Sequence, residues 1–149
     1  MNTKPQGVVL VHGLALRGWA MSFLAWSLRR AGYRTLVPNY PSRKFTLEEL
    51  AGDLIDQVSA FTHECSQVHF VGHSMGGLMI RLILRSGVVT DRGRIVMLGT
   101  PHRGSEIVDK LKDVFIFRRF FGPAGCSLTT DQRFDETLNL SGYEIGIIA

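Results

Sequence analysis

The stretch FVGHSMGGLMIR, residues 70–81, contains the turn that decides the fold. The run VHFVGH at 68–73 predicts a short buried strand, and the apolar residues that follow up to 85 predict a deeply buried helix. Between them stands Gly72-His73-Ser74-Met75-Gly76, a G-x-S-x-G pattern in the strand–turn–helix context that a nucleophile elbow requires. The pattern therefore predicts a serine hydroxyl presented at the edge of a sheet.

An elbow of this kind places specific demands on its residues. Ser74 must adopt a strained backbone conformation so that its hydroxyl projects from the sheet edge. Gly72 and Gly76 lack side chains that would collide across so tight a turn, and Gly77 lets the helix pack closely. The helix N-terminus adds unpaired amides near a developing anion. We predict that Ser74 is a nucleophile and that His73 and these three glycines complete the elbow.

Strands and helices alternate along most of the chain. Apolar β-branched runs predict the strands, and apolar residues at helical spacing predict the helices, one of which begins with the capping box TLEE at 46–49. The predicted strands are 7–13, 33–40, 68–73, 94–101 and 143–149, and the predicted helices are 19–31, 46–63 and 75–85. This order predicts an α/β fold, with a mostly parallel, doubly wound sheet of about five strands and helices on both faces.

Residues 102–142 interrupt this alternation before the last predicted strand. The segment has apolar residues at helical spacing, followed by the aromatic and basic cluster VFIFRRFFGPAG. We expect 1–149 to be a single domain, with 102–142 as a helical, Phe-rich insertion that acts as a lid or simply caps the core. The phenylalanines and Trp19 favour an apolar acyl chain as ligand.

A second loop complements the elbow. LVHGLALRG at 10–18 follows the first strand, and a loop leaving that strand can point the Leu14 amide toward the same place as the Met75 amide. Two such amides would form an oxyanion hole, in which each donor lowers the barrier by roughly 3 kcal/mol. If the second and third strands flank the first, both loops open into the crevice where open α/β sheets bind ligands.

Three segments together resemble the lipase/esterase branch of the α/β-hydrolase superfamily. They are VVLVHGLALRGW at 8–19, VHFVGHSMGGLMIR at 68–81 and IVMLGTPHRGSE at 95–106, and they stand in the family's order. The resemblance extends from about Gly7 to Ser105, with YEIGIIA at 143–149 as the next strand. It implies an α/β-hydrolase-like fold, with Ser74 as the nucleophile and with Leu14 and Met75 supplying the oxyanion amides.

The resemblance also implies an acid and a histidine that follow the nucleophile in the chain. The acid is expected just beyond Ala149 and the histidine further on, so we expect the given chain to be C-terminally incomplete. His102 follows a strand on the correct edge and is the candidate for a substitute base, although in the family this histidine resembles a structural feature of the loop. We expect His12 to be structural, His73 to point away from the Ser74 hydroxyl, and His63 and His69 to lie away from the catalytic edge.

Two functions remain open at this stage. The first is a serine hydrolase that cleaves small-molecule or lipid carboxylic esters through an acyl-enzyme on Ser74, weak or inactive as this chain alone because serine needs an adjacent base. The second is a non-catalytic α/β-hydrolase-fold module that binds a lipid or a protein partner. The motifs do not separate an esterase from a thioesterase, an acyltransferase or an amidase.

Composition excludes several other classes. The +4 net charge comes from scattered Lys and Arg residues, which argues against a nucleic-acid partner. We expect no cofactor and no metal, because HECSQ at 63–67 has Gln67 where a zinc motif needs histidine and the glycines fit no nucleotide loop.

The N-terminus shows no signal peptide, no apolar run is long enough to span a membrane, and Cys65 and Cys126 are predicted free thiols, so we predict a cytoplasmic location. An exposed edge strand at 143–149 predicts a homo-oligomer.

Overall fold

The computed structural model describes residues 4–14, 16–100, 140 and 142–148. The predicted insertion at 102–142, and His102 within it, therefore lie almost wholly outside the described residues. The elements, in chain order, are β1 (Gly7–Val11), a 3-10 turn (Gly18–Met21), α1 (Ser22–Arg30), β2 (Arg34–Leu36), α2 (Leu47–Thr62), β3 (Val68–His73), α3 (Met75–Arg85), β4 (Arg92–Leu98) and β5 (Glu144–Ile148).

The five strands form one parallel sheet in the order β2-β1-β3-β4-β5. This is a doubly wound order, and it confirms the predicted fold class. The second and third strands lie on either side of the first, which is the condition for a ligand-binding crevice above the loops after β1 and β3. The winding therefore reverses between β1 and β3, at the edge where the elbow lies.

Local sequence signals explain where the helices begin and end. Thr46 caps α2: its Oγ1 accepts from the Glu49 amide at 3.3 Å, and the Glu49 carboxylate accepts from the Thr46 amide at 2.9 Å. Gly32 ends α1 with φ +93°, and the Tyr33 amide donates to the Leu28 carbonyl at 3.1 Å. A glycine suits this left-handed position because it has no Cβ. Both predicted signals are confirmed.

The sheet separates two apolar cores. Alternate residues of each strand point to opposite faces, so Val9 and Val11 join the core under α2 and α3, while Val8 and Leu10 join the core under α1. The larger core contains most of α3, which is buried from Met75 to Arg81 as its continuous apolar pattern predicts. Helices thus cover both faces, and the loops after β1 and β3 emerge at one edge between them.

The structure corrects several predicted boundaries. The second strand covers only Arg34–Leu36 rather than 33–40, because the chain reaches Pro38, which has no amide to donate to a ladder. The first strand ends at Val11, and β4 begins two residues earlier than predicted, at Arg92. The segment from Trp19 begins as a 3-10 turn rather than an α-helix.

The last described strand is exposed along its whole length. Residues Ile145, Ile147 and Ile148 are 40%, 59% and 60% exposed, as the sequence predicted for this edge. The strand is held by its parallel ladder with β4 and by an ion pair of 2.5 Å between Arg94 and Glu144. Within the described residues, no helix combines the length and the apolar character needed to cross a bilayer.

Candidate active site

Ser74 occupies the junction between β3 and α3 in a conformation that side chains rarely adopt. Its φ is 52° and its ψ is −122°, and it is the one residue other than glycine with positive φ in the described ranges. Its amide donates to the Leu98 carbonyl of β4 at 2.8 Å, and its carbonyl accepts from the Gly77 amide at 3.1 Å. Such backbone strain costs about 1–3 kcal/mol and persists only where the surroundings enforce it.

The three predicted elbow glycines lie where no side chain fits. A Cβ on Gly72 would lie 2.6 Å from the Gly77 amide nitrogen, and one on Gly76 would lie 2.1 Å from the Val11 carbonyl oxygen. A Cβ on Gly77 would meet the Thr100 hydroxyl at 2.2 Å. These distances are far inside van der Waals contact, so the close packing of α3 against β1 and β4 depends on the glycines.

The loop after β1 lies directly against the elbow. A Cβ built on Gly13 would be 3.2 Å from the Ser74 Cβ and 3.0 Å from the His73 Nδ1. Leu14 is half-buried and packs on the larger core, and Met75 is fully buried. The structure thus brings together the two segments that carry the Leu14 and Met75 amides; their role as an oxyanion hole stays a prediction.

His12 and Tyr40 form a buried pair beneath this loop. The Tyr40 hydroxyl donates to the His12 carbonyl, and the two rings stack with centroids 4.0 Å apart. The His12 Nδ1 lies 3.0 Å from the Gly13 carbonyl oxygen, so this nitrogen must carry the proton. Burial lowers the pKa of His12 and raises the pKa of Tyr40, which keeps both rings neutral. This arrangement agrees with a structural His12.

Sequence reasoning did not identify Tyr40 as part of this edge. Its partner is 28 residues away and the contact uses a main-chain oxygen, so no pattern of side-chain types signals it. Thr100 was missed in the same way. It follows β4, its side chain is buried against Gly77, and its Oγ1 has no hydrogen-bond partner among the described residues.

The remaining described histidines are divided between the two edges of the sheet. His63 follows α2, and His69 is the second residue of β3, so both lie at the edge opposite Ser74, as predicted. The His69 Nδ1 accepts from the Arg94 amide at 2.9 Å, and burial together with the Arg94 charge lowers the pKa of His69. His73 adjoins Ser74, and its exposed ring lies beside Gly13. His102 lies outside the described residues.

The described residues offer no set of groups suited to a metal. No three His, Cys, Asp or Glu side chains come together within them. Cys65 is buried at the far edge, and burial raises the pKa of its thiol.

A strained serine at a strand–helix turn, placed where a doubly wound sheet reverses its winding, defines the α/β-hydrolase class of fold and site. The profile of the alpha/beta hydrolase family matches residues 8–142, and the chain belongs to that family.

Among similar proteins, the carbendazim-hydrolysing esterase of Nocardioides sp. (strain SG-4G) is 36% identical over 81 residues, which are 48% of this chain and 33% of that protein. Esterase PIR7B of Oryza sativa subsp. japonica is 30% identical over 92 residues, 56% of this chain and 34% of that protein. The chain thus spans about a third of the length of these relatives.

Solved structures share the fold at lower identity. The lipase BlEst2 of Bacillus licheniformis in its propeptide form superposes with a TM-score of 0.67 at 22% identity, over 99% of this chain and 35% of the lipase. Its mature form gives a TM-score of 0.62 over 90% of this chain and 58% of the lipase. At this identity the likeness establishes the fold alone.

Proposed function

We propose that the protein is a serine hydrolase of the lipase/esterase type that cleaves carboxylic esters through an acyl-enzyme on Ser74. The observation that carries the proposal is the φ of 52° at Ser74, a strained value that residues other than glycine rarely adopt and that a nucleophile elbow requires. Membership of the alpha/beta hydrolase family and the esterase relatives support it.

In the proposed reaction, the Ser74 hydroxyl attacks the ester carbonyl while a base takes its proton. The carbonyl oxygen becomes an anion, which the amides of Leu14 and Met75 stabilise from the two adjoining loops. The protonated base then gives its proton to the departing alcohol, and water repeats the sequence on the acyl-enzyme. The reaction needs no electron transfer and no metal.

Four histidines are described, and we expect the side chain of His73, the one next to Ser74, to point away from the Ser74 hydroxyl. His63 and His69 lie at the opposite edge, and the His12 imidazole is buried against Tyr40 with its Nδ1 directed at the Gly13 carbonyl. The base is therefore assigned to His102 or to a histidine that follows the last strand, as the order of residues in the family implies. We extend the proposal to a cytoplasmic location, which the predicted free thiols Cys65 and Cys126 favour.

The test is covalent labelling of the 149-residue chain with a fluorophosphonate probe, beside turnover of short- and medium-chain p-nitrophenyl esters. Labelling and turnover should disappear in Ser74→Ala, with a loss of roughly a thousandfold or more in turnover. Ser66→Ala is the matched control, because Ser66 is exposed at the opposite edge and, in the part of the chain that the structure describes, bonds through its main-chain amide.

His102→Ala identifies the base. Loss of labelling in this variant, with circular dichroism unchanged, assigns the base to His102, whereas full labelling excludes it. If the folded unsubstituted chain takes up no probe, the hydrolase proposal fails for this chain, and the non-catalytic lipid- or protein-binding module replaces it.

A further inference from the structure

The Leu14 amide, one of the two proposed oxyanion donors, belongs to the same peptide unit as the Gly13 carbonyl. That peptide bond is trans, like every other in the described part of the chain, so its N–H and C=O point in opposite directions. Any contact that fixes the direction of the Gly13 carbonyl therefore also fixes the direction of the Leu14 amide.

Two donors hold the Gly13 carbonyl. The His12 Nδ1 donates to its oxygen at 3.0 Å, and the Leu16 amide donates to the same oxygen at 3.3 Å. Gly13 is buried and lies against the elbow, since a Cβ built on it would be 3.2 Å from the Ser74 Cβ. The peptide unit that ends in the Leu14 amide is thus held in a defined direction beside Ser74.

Tyr40 in turn holds His12. The two rings stack with centroids 4.0 Å apart and planes inclined by 12°, and the Tyr40 hydroxyl donates to the His12 carbonyl. Both residues are buried, so a broken hydrogen bond would leave a polar group without a partner. Tyr40 therefore fixes both the ring and the main chain of the residue that holds the Gly13 carbonyl.

Tyr40 and its neighbour Asn39 belong to a stretch with little backbone freedom. A proline follows Tyr40 directly and another precedes Asn39, and proline restricts its own backbone and that of the residue before it. The Asn39 Oδ1 accepts from the Gly18 amide at 3.1 Å, at the far end of the loop after β1. Two consecutive residues after β2 therefore fasten that loop at both ends, at His12 and at Gly18.

We propose that Tyr40 and Asn39 are positioning residues for the ester-cleaving reaction, which hold the Leu14 amide in the direction that an oxyanion donor needs. The inference rests on the proposed function for the role of the amide, and on these contacts for the way in which the amide is held. A donor directed at the developing anion stabilises the transition state more than the bound ester. Release of the loop should therefore lower kcat and leave KM nearly unchanged.

Tyr40→Phe tests the first anchor, because phenylalanine keeps the stacked ring but has no hydroxyl to donate. We expect kcat for p-nitrophenyl butyrate to fall about tenfold, KM to stay within about twofold, and fluorophosphonate labelling to slow by about the same factor as kcat. Tyr33→Phe is the matched control, because it removes the same hydroxyl at the opposite edge of the sheet, where the Tyr33 ring contacts His69. It should change neither rate.

Asn39→Ala tests the second anchor at an exposed residue, where the replacement leaves the apolar cores intact. It should lower kcat about threefold, a smaller effect than that of Tyr40→Phe because the hydrogen bond is less buried. Asn39→Asp keeps an acceptor oxygen for the Gly18 amide and should restore the rate.

The order parameter of the Leu14 N–H, measured by NMR relaxation, reports on the positioning directly. In Tyr40→Phe it should fall from about 0.85 toward roughly 0.6, the range of a flexible backbone. The Met75 value should not change, because Met75 begins α3 and is held by the helix. A residue that only stabilises the fold would lower the free energy of unfolding without loosening this one amide.

An unchanged kcat in Tyr40→Phe overturns the inference, even if the free energy of unfolding falls, and so does an unchanged Leu14 order parameter. An equal loss of kcat in Tyr33→Phe overturns it as well. If Tyr40→Phe does not fold, equal rates for Asn39→Ala and Asn39→Asp overturn it. If the unsubstituted chain takes up no fluorophosphonate, the proposed function fails and the inference falls with it, whereas labelling that neither anchor variant slows overturns the inference alone.

Discussion

The Cα of Gly76, at the start of α3, faces the carbonyl oxygen of Val11, at the end of β1, so closely that a Cβ would lie 2.1 Å from that oxygen. Both groups belong to the main chain of regular elements, and neither can move without displacing its element. The contact sets the distance between the helix that follows Ser74 and the strand that leads into the loop of Leu14. The geometry of the proposed oxyanion hole therefore depends on a missing side chain.

Gly76→Ala should lower the free energy of unfolding by about 3 kcal/mol or more, because the added methyl overlaps a main-chain oxygen. Urea denaturation measures the change. Gly52→Ala is the matched control: Gly52 is exposed within α2 and has no atom within 4 Å of a built Cβ. That substitution should stabilise the chain by about 0.5–1 kcal/mol through helix propensity. Equal unfolding midpoints for the two variants would contradict the packing of the elbow.

Ser74→Gly should be more stable than Ser74→Ala by about 1 kcal/mol, because glycine relieves the strain at φ 52° and loses only part of that gain to chain entropy. Neither variant should be labelled by the fluorophosphonate. The comparison of Ser66→Gly with Ser66→Ala, at a residue without positive φ, provides the control. At residue 66, the glycine variant should have an unfolding free energy equal to or below that of the alanine variant. If the glycine variant at residue 74 is also no more stable than the alanine variant, the Ser74 backbone is not strained.

The stability of the fold should decrease as the pH falls below about 6.5. Burial lowers the pKa of His12 from its ordinary 6.5, so the unfolded chain binds more protons than the folded chain between the two values. The contribution is fully present above pH 6.5 and is lost as the pH falls toward the folded-state pKa. His69 acts in the same direction, since burial and Arg94 lower its pKa as well.

Urea unfolding from pH 8 to 5.5 measures this dependence above the range where carboxylates titrate. His12→Asn should be less stable at pH 8 but should show a shallower decrease, because it removes one of the two groups. A slope unchanged by both His12→Asn and His69→Asn would show that the buried histidines are not its source.

The exposed strand β5 pairs only with β4 among the described strands, and its other edge should mediate self-association. Ile147→Lys places a charge on this strand and should shift the concentration-dependent mass, measured by light scattering, toward the monomer. Phe23→Lys is the matched control, because Phe23 is 79% exposed but lies on α1, away from the edge. Equal effects of the two substitutions would indicate non-specific apolar contacts, and a monomer at all concentrations would exclude the homo-oligomer.

Signals between near neighbours in the chain were read correctly from the sequence. Thr46 and Glu49 are one helical turn apart, and Gly32 ends α1 wherever the rest of the protein lies. The strand before Ser74 and the helix after it follow from the period of their apolar residues, so the elbow and its three glycines were predictable. The strand order was only a condition at that stage, and the sheet itself decided it.

Relations over long distances in the chain were decided by the tertiary structure. The hydrogen bond from Tyr40 to the His12 carbonyl and the burial of Thr100 against Gly77 involve groups that carry no pattern of their own. The loops after β1 and β2 lie side by side because their strands are parallel neighbours in the sheet. The sequence by itself determined the elements and the identity of the candidate nucleophile, because helix periodicity, capping and turn strain act over a few residues. Only the packed sheet decided which residues surround that nucleophile, because its neighbours are set by strand order and burial rather than by separation along the chain.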